Sequence, residues 1–284
     1  MKILILGSSG SLGNALYHVL KKKHGVFHNG IIKKKYDLTK INNVKKILKK
    51  KMLDIIFNCS AITNIELCEK SKKLAYSVNT KIVKNFFLII KQRKLNSKFV
   101  QISTDHIYDQ KKINAKSNEN SKVKINNYYS KTKYEAEKIC KKNNSIIFRV
   151  NFFKEMGSKS FPNWLIKKFK LKNKFFLVKD QYVSALSLNS LVKILDLSLK
   201  KILNRSGIYN IGTKDKISKI KFAIKLARKI NCFNNNFIEE KINNICKVKR
   251  SENMSMDVKK FEKDFKIKLP IHENEIKKIS KFYL

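Results

Sequence analysis

The chain has 284 residues, 43% of them hydrophobic, and 64 Lys and Arg against 21 Asp and Glu give it a net charge of +43. That apolar fraction excludes disorder throughout, and at this length folding removes roughly three quarters of the unfolded surface from water, enough for one large domain or two small ones. Eight Gly and two Pro exclude collagen-like and Pro-rich chains, and Lys or Asn interrupts even the apolar stretch Ile82 to Ile90, well short of the roughly 20 residues that cross a bilayer.

Residues 2–6, KILIL, end in Gly, and apolar residues from Leu12 to Leu20 follow at helical spacing, which predicts strand, tight turn and helix. A second strand is expected near Gly25 to His28 and a helix from Ile41 to Lys51. The run from Leu53 to Asn58 reads as a strand buried on both faces. A long helix over Lys72 to Lys91, a strand over Lys98 to Ser103, a helix over Tyr128 to Lys141 and a strand over Ser145 to Val150 complete an alternation that predicts a parallel sheet with helices on both faces. Beyond Arg149 the alternation loosens. Phe161 to Leu171, Leu188 to Leu203 and Ile217 to Ile230 read as helices, Phe175 to Val178 and Gly207 to Ile211 as extended. Residues 231–256 are weakly patterned and precede two short helical candidates. The expected plan is a nucleotide-binding domain over 1–150 and a smaller lobe over 151–284, with segments near 175–190 and 207–212 returning to the main sheet.

Five cysteines, odd in number and widely spaced with no C-x-x-C pair, argue for reduced thiols in a cytoplasmic protein, against both a disulfide framework and a zinc site. The Ile3 to Leu6 run is too short for a signal peptide. The five histidines offer no paired ligand spacing, so no metal site is expected. The charge raises the question of nucleic acid. Only five of the basic residues are Arg, however, and the lysines are spread over nearly every segment beside abundant Asn, Ile and Phe. Compositional bias of the coding sequence explains this more simply, so no specific nucleic acid and no membrane is expected as partner.

Gly7-Ser8-Ser9-Gly10-Ser11-Leu12-Gly13 is a G-x-x-G-x-x-G turn between the first strand and its helix. Glycines there let the backbone turn sharply and approach a pyrophosphate, whose charge then sits on the amides opening the helix. No acidic residue ends the second strand at Phe27-His28-Asn29-Gly30, so nothing repels a 2′-phosphate, and Lys33, Lys34 and Lys35 could pair with one; NADPH is favoured, with NADH open. Asp37-Leu38-Thr39 either brings a carboxylate near the adenine or caps the next helix.

Tyr129 and Lys133 stand four apart on one helix face. Reducing a ketone needs a proton for the developing alkoxide. A tyrosine whose pKa is lowered by a neighbouring ammonium can give it. With so many lysines the spacing alone means little, but the strand Lys98 to Ser103 runs straight into Thr104 and Asp105, placing polar groups at the carboxyl end of a parallel strand. Thr104 could donate to the substrate carbonyl and Asp105 orient a sugar hydroxyl; the alternative for both is a turn or helix cap.

Together these residues resemble the extended short-chain dehydrogenase/reductase superfamily and, within it, the dTDP-4-dehydrorhamnose reductase family, over nearly the whole chain. Asn58-Cys59-Ser60-Ala61-Ile62-Thr63 is similar to the family's N-A-A-A-x-T stretch, which implies that Cys59, Ser60, Ala61 and Thr63 line the cofactor with Gly7, Gly10, Ser11, Leu12, Gly13, Asp37 and Leu38. Glu69 and Val78-Asn79 fall where such proteins carry an acid and a V-N pair. Ser103 to Asp109, STDHIYD, resembles S-T-D-Y-V-F-D, implying Thr104, Tyr129 and Lys133 as catalytic groups. Arg149, Asp180, Gln181 and Arg250, the last opening RSENMSMD, match strand-end and substrate-lobe motifs, as do Gly207 to Gly212 and Phe222-Ala223. The resemblance implies an α/β, Rossmann-type doubly wound parallel sheet with a smaller C-terminal substrate-binding lobe. The implied activity is NAD(P)H-dependent reduction of the 4-keto group of a dTDP-6-deoxy-hexulose. An epimerase or reductase of another nucleotide sugar, or a non-catalytic regulatory subunit, are the alternatives, and a homodimer is an open partner. Some such reductases use Mg2+ at a dimer contact, and no carboxylate cluster here demands it. Departures are His106 for Tyr, Gln110 for Gly, Ser130 for Gly and Ala185 for Pro; Asp105-His106, where the superfamily's dehydratases need an Asp-Glu pair, disfavours a 4,6-dehydratase.

Overall fold

A computed structural model describes residues 1–28, 36–48, 52–157, 160–171 and 173–284. The chain divides into two compact units, the first made of Met1–Thr104, Asn127–Arg149 and Val192–Tyr209 and the second of Asp105–Asn126, Val150–Leu191 and Asn210–Leu284. The division is therefore not the single cut at 150 expected from sequence. The polar segment after Thr104 belongs to the second unit, and most of the helix Leu188–Leu203 belongs to the first.

The first unit is built on a parallel sheet. Strands β1 (Lys2–Leu6), β2 (Gly25–His28), β3 (Ile55–Asn58), β4 (Lys98–Thr104), β5 (Ile146–Val150) and the strand Gly207–Ile211 lie in the order β2-β1-β3-β4-β5 and then Gly207–Ile211. Ile3 stands opposite both Val26 and Ile55, and Ile55 opposite Lys98. β3 is buried along its whole length, as its unbroken apolar run requires of a strand covered on both faces. Helices α1 (Ser11–Leu20), α2 (Ile41–Leu48), α3 (Ile65–Lys70), α4 (Lys72–Tyr76), α5 (Ile82–Gln92) and α6 (Tyr128–Lys141) connect the strands. α5 buries Val83, Phe86, Phe87 and Ile89, and the Phe87 ring sits 4.7 Å from that of Phe99 on β4. The chain leaves β1 for β2 on one side and returns to β3 on the other. The turns after β1 and β3 thus emerge side by side at the carboxyl edge, the switch point where such sheets bind ligands.

The long helix expected over Lys72 to Lys91 is interrupted by a wide turn of π type, Ser77–Lys81. Its cause is Asn79, fully buried, whose amide donates to the Ile62 carbonyl and the Thr132 hydroxyl and accepts from the Ile62 amide.

In the second unit the expected return of 175–190 to the main sheet does not occur. Phe175–Val178 pairs in parallel with Phe237–Glu240, Tyr182–Val183 antiparallel with Ile217–Ser218, and Leu186–Ser187 in parallel with Phe152–Phe153. The physical reason is visible in Phe175–Val178, where buried Phe175 and Leu177 alternate with exposed Phe176. One face of that strand is wet, unlike the inner strands β3 and β5 of the main sheet. Helices Phe161–Lys170, Lys219–Lys229 and His272–Ser280 close over a core that includes Leu165, Phe169, Phe222, Leu226 and Ile279. Among the described residues no helix is long and apolar enough to cross a membrane. No three His, Cys, Asp or Glu gather as metal ligands among them. All five cysteines are free thiols.

Candidate active site

The glycine turn is packed before any ligand arrives. Gly7 has φ +77°, and a Cβ there would come within 2.7 Å of the Ser60 amide nitrogen and 2.8 Å of the Cys59 carbonyl carbon, so only glycine lets the turn press against the end of β3. A Cβ on Gly13 would overlap the Gly7 carbonyl. Gly10 differs. Its φ of −84° and ψ of 164° suit any residue, and an added Cβ would meet only the Gly7 oxygen, at 3.3 Å. The Gly10 amide donates to that oxygen at 3.0 Å and closes the turn. α1 opens with no side-chain cap and no acidic residue in its first turn, leaving the amide ends of Ser11, Leu12 and Gly13 as a site for an anion. Leu12 is buried, so a ligand would meet its backbone.

His28 ends β2 where an acidic ribose hook would stand. Its Nδ1 lies 3.2 Å from the Ser8 hydroxyl, and its ring centroid is 4.3 Å from that of Tyr17. Lys33, Lys34 and Lys35 lie outside the described residues. Asp37 accepts from the Thr39 amide at 2.9 Å and its hydroxyl at 2.7 Å, and these bonds, the hydroxyl's first, hold its carboxyl below the usual range. It is therefore a turn-forming residue, and it also lines an open groove of about 670 Å³ with Thr39, Lys70, Lys72, Ser77 and Val78. The Leu38 side chain is buried in the core and its carbonyl accepts from Asn85.

The segment after β3 is clamped at both ends. Asn58 donates to Gln101 at 2.8 Å and accepts from the Ser60 amide at 3.1 Å, while Asn79 holds Ile62. Cys59, Ser60 and Ala61 are half-buried and Thr63 is exposed. Burial pushes the Cys59 thiol up to about 12, so it stays neutral.

α6 starts with a reciprocal cap: Asn127 accepts from the Ser130 amide at 3.0 Å, and the Ser130 hydroxyl accepts from the Asn127 amide at 3.3 Å. The Ser130 hydroxyl thus contributes a bond to the helix start. Glu69 accepts from the Tyr128 amide at 2.8 Å and so also serves this helix start. Tyr129 and Lys133 are both buried. The Lys133 ammonium donates to the Ile102 carbonyl at 2.6 Å, fixing the helix face that carries Tyr129 against β4 two residues before Thr104. Burial lowers the Lys133 pKa to about 8, with Glu137 opposing the shift.

Arg149, expected to contact substrate, is corrected. It is 1% exposed, and its Nε and Nη2 donate to the Glu137 carboxylate at 3.0 and 2.7 Å. The last residues of β5 point into the interior, and a guanidinium there is tolerable only when paired.

In the second unit Asp105 is buried and accepts from the Asn151 amide. Next to it the His106 ring is driven down to about 3, chiefly by burial and then by the charges of Lys219 and Arg250, and so stays neutral. Lys219 is lowered to about 8, again mainly by burial, with Asp105 opposing and Arg250 reinforcing. Asp105, His106, Lys219 and Arg250 therefore share one electrostatic neighbourhood. Asp180 accepts from the Ile242 amide at 2.8 Å, and buried Gln181 donates to the Ser251 carbonyl at 2.8 Å. They hold the backbone around Arg250, which lines a cavity of about 440 Å³ with Asp109, Lys124, Asp180, Tyr182 and Asn253. Sequence reading missed Glu137 and Lys219. Glu137 lies four residues past Lys133, a signal that was available; Lys219 carries none among so many lysines.

The sequence model described as the RmlD substrate binding domain matches residues 1–283. The chain is 26% identical over 232 residues to a dTDP-4-dehydrorhamnose reductase of Aggregatibacter actinomycetemcomitans, covering 79% of this chain and 78% of that one. Among solved structures it is similar to a dTDP-4-dehydrorhamnose reductase from Clostridium acetobutylicum, with 24% identity, TM-score 0.88 and 99% of each chain covered. It is also similar to one from Bacillus anthracis in complex with NADP, with 22% identity, TM-score 0.87 and 98% of each chain covered.

Proposed function

The chain belongs to the RmlD substrate binding domain family, and from that premise we propose that it reduces the 4-keto group of a dTDP-6-deoxy-hexulose, dTDP-4-dehydrorhamnose to dTDP-L-rhamnose, using NADPH. The observation that carries the reading is buried Lys133, bonded to the Ile102 carbonyl two residues before Thr104, with buried Tyr129 one turn earlier on the same helix face.

The glycine turn and the uncapped amides of α1 fit the pyrophosphate of a dinucleotide, and the absence of an acid at His28 favours the 2′-phosphate of NADPH. When bound, the nicotinamide supplies the hydride. Thr104 donates a hydrogen bond to the carbonyl oxygen and polarises it. Tyr129 gives its phenolic proton to the oxygen as negative charge develops there. Lys133, charged below about pH 8, stabilises the tyrosinate left behind and holds the nicotinamide ribose. The first unit is thus the cofactor-binding part. In the second, Lys219 and Arg250 offer positive charge to the diphosphate of the sugar nucleotide, and neutral His106 offers a hydrogen bond where the family carries Tyr.

The test is oxidation of NADPH and of NADH by purified protein at moderate salt, with dTDP-4-keto-6-deoxy sugar generated in the same tube and the product identified. Formation of dTDP-rhamnose with NADPH supports the proposal. Cofactor binding with turnover of another nucleotide sugar alone would move the assignment to that sugar, and failure to bind either cofactor would refute it.

A further inference from the structure

Lys133 and Glu137 lie one turn apart on α6, and each takes hold of one of two successive residues of β4. The Lys133 ammonium donates to the Ile102 carbonyl at 2.6 Å, and the Ser103 hydroxyl donates to Glu137 Oε1 at 2.6 Å. The next residue of the strand is Thr104. On its other side the Glu137 carboxylate receives the fork of Arg149 from β5. Glu137 is fully buried and Arg149 and Lys133 nearly so; the carboxylate pairs with Arg149, and the Lys133 ammonium sits one helical turn away on the same face.

The groups facing Lys133 are few. Tyr129 and Glu137 share its helix face, Cys140 lies further along α6, Cys59 follows β3, and Cys68 comes from α3. Burial pushes the thiols of Cys59 and Cys140 up to about 12 and that of Cys68 to about 11, so all three are neutral. Among the described residues that face the ammonium, Glu137 is the negative charge. A buried ion pair is a weak source of stability compared with apolar residues of the same volume. A positioning task for the neighbouring ammonium gives this one a purpose.

We infer that Glu137 is a positioning residue of the proton-donating site: clamped by Arg149 and Ser103, it sets α6 in register on β4 and supplies the charge that keeps Lys133 an ammonium beside Tyr129. The inference rests on the reductase reading for its purpose and not for its measurement. Removing the carboxylate leaves burial to act on Lys133 alone, so the lysine loses its proton at lower pH.

The experiment is a pH titration of the Lys133 side chain by nitrogen-15 NMR in lysine-labelled protein without substrate, the resonance assigned by its loss in Lys133→Arg. In Glu137→Gln the midpoint is expected to fall by about one unit, the low end of what a nearby opposite charge exerts, since the carboxylate does not pair with the ammonium directly. Glu137→Gln leaves Arg149 buried without its partner and risks misfolding, so Glu137→Gln/Arg149→Gln, which removes both charges and keeps hydrogen-bonding groups, is measured beside it. It is expected to titrate below the unmodified protein by less than Glu137→Gln does, because loss of the Arg149 charge offsets part of the fall. A midpoint that does not fall in folded Glu137→Gln or, if that variant does not fold, one that rises in the double variant overturns the inference. Where turnover is measured, its alkaline limb moves with the midpoint. If the unmodified protein reduces no nucleotide sugar, the reductase reading fails, while the titration still decides the role of Glu137.

Discussion

Gly10→Asp separates what the glycine turn does for the fold from what it does for the cofactor. Gly10 is the residue before α1, in a backbone conformation open to any side chain, and an added Cβ meets only the Gly7 oxygen, at 3.3 Å. An aspartate there accepts from the first-turn amides and adds a negative charge at the positive end of the helix. Replacing glycine by a capping residue contributes a few tenths of a kcal/mol and the charge about 0.3 to 1 kcal/mol, less a few tenths for crowding. Stability in urea should therefore stay level or rise by up to about 1 kcal/mol. The same carboxylate occupies the amides that a pyrophosphate needs. Two unit charges about 5 Å apart at an effective dielectric near 20 repel by about 3 kcal/mol, which is a loss of more than a hundredfold in affinity. Urea unfolding and fluorescence titration with NADPH read the two effects separately. Gly13→Ala provides the contrast, because its methyl overlaps the Gly7 carbonyl and the turn or the helix must move. A Gly10→Asp protein that binds NADPH within threefold of the unmodified one would refute the placement of the pyrophosphate.

Arg149→Met should cost about 3 to 5 kcal/mol in urea, because it strands the buried Glu137 carboxylate, and a mild loss would mean the pair is not buried as described. Lys219→Met should raise KM for the nucleotide sugar about tenfold or more while NADPH affinity holds, as expected of a lost charged hydrogen bond; an unchanged KM would remove Lys219 from the substrate site. Burial lowers Lys133 from 10.5 to about 8, so between those values the unfolded chain binds the extra proton and stability rises with pH. Relative to Lys133→Met, the unmodified protein should gain about 2 kcal/mol between pH 8 and pH 10 in urea, and an equal slope in the two proteins would show that the lysine is not desolvated.

What could be read from the sequence follows from where the information lies. The first strand and Leu53 to Asn58 are apolar runs closed by turn signals, so burial on both faces is written in them directly. The glycine turn and the Tyr129/Lys133 spacing are local and survive into the structure at the ends of β1 and on α6. The short ladders of the second unit were missed because strands such as Tyr182–Val183 and Ile217–Ser218 are too short to show any period. Phe237–Glu240, half to fully exposed, lies in the stretch read as weakly patterned. The interruption at Ser77–Lys81 comes from Asn79 bonding to residues 17 and 53 positions away, which no local pattern contains. Arg149 and Lys219 have the composition of surface residues. Their burial is set by what packs around them, and one buried lysine among so many has no mark of its own.

The most direct test of the central claim compares the unmodified protein with Tyr129→Phe, following NADPH oxidation with dTDP-4-keto-6-deoxy sugar and, separately, NADPH binding. The account predicts dTDP-rhamnose from the unmodified protein. It predicts turnover lower by about 10²- to 10⁴-fold in Tyr129→Phe, as for loss of a general acid, with NADPH affinity within threefold. Full turnover in Tyr129→Phe would contradict it.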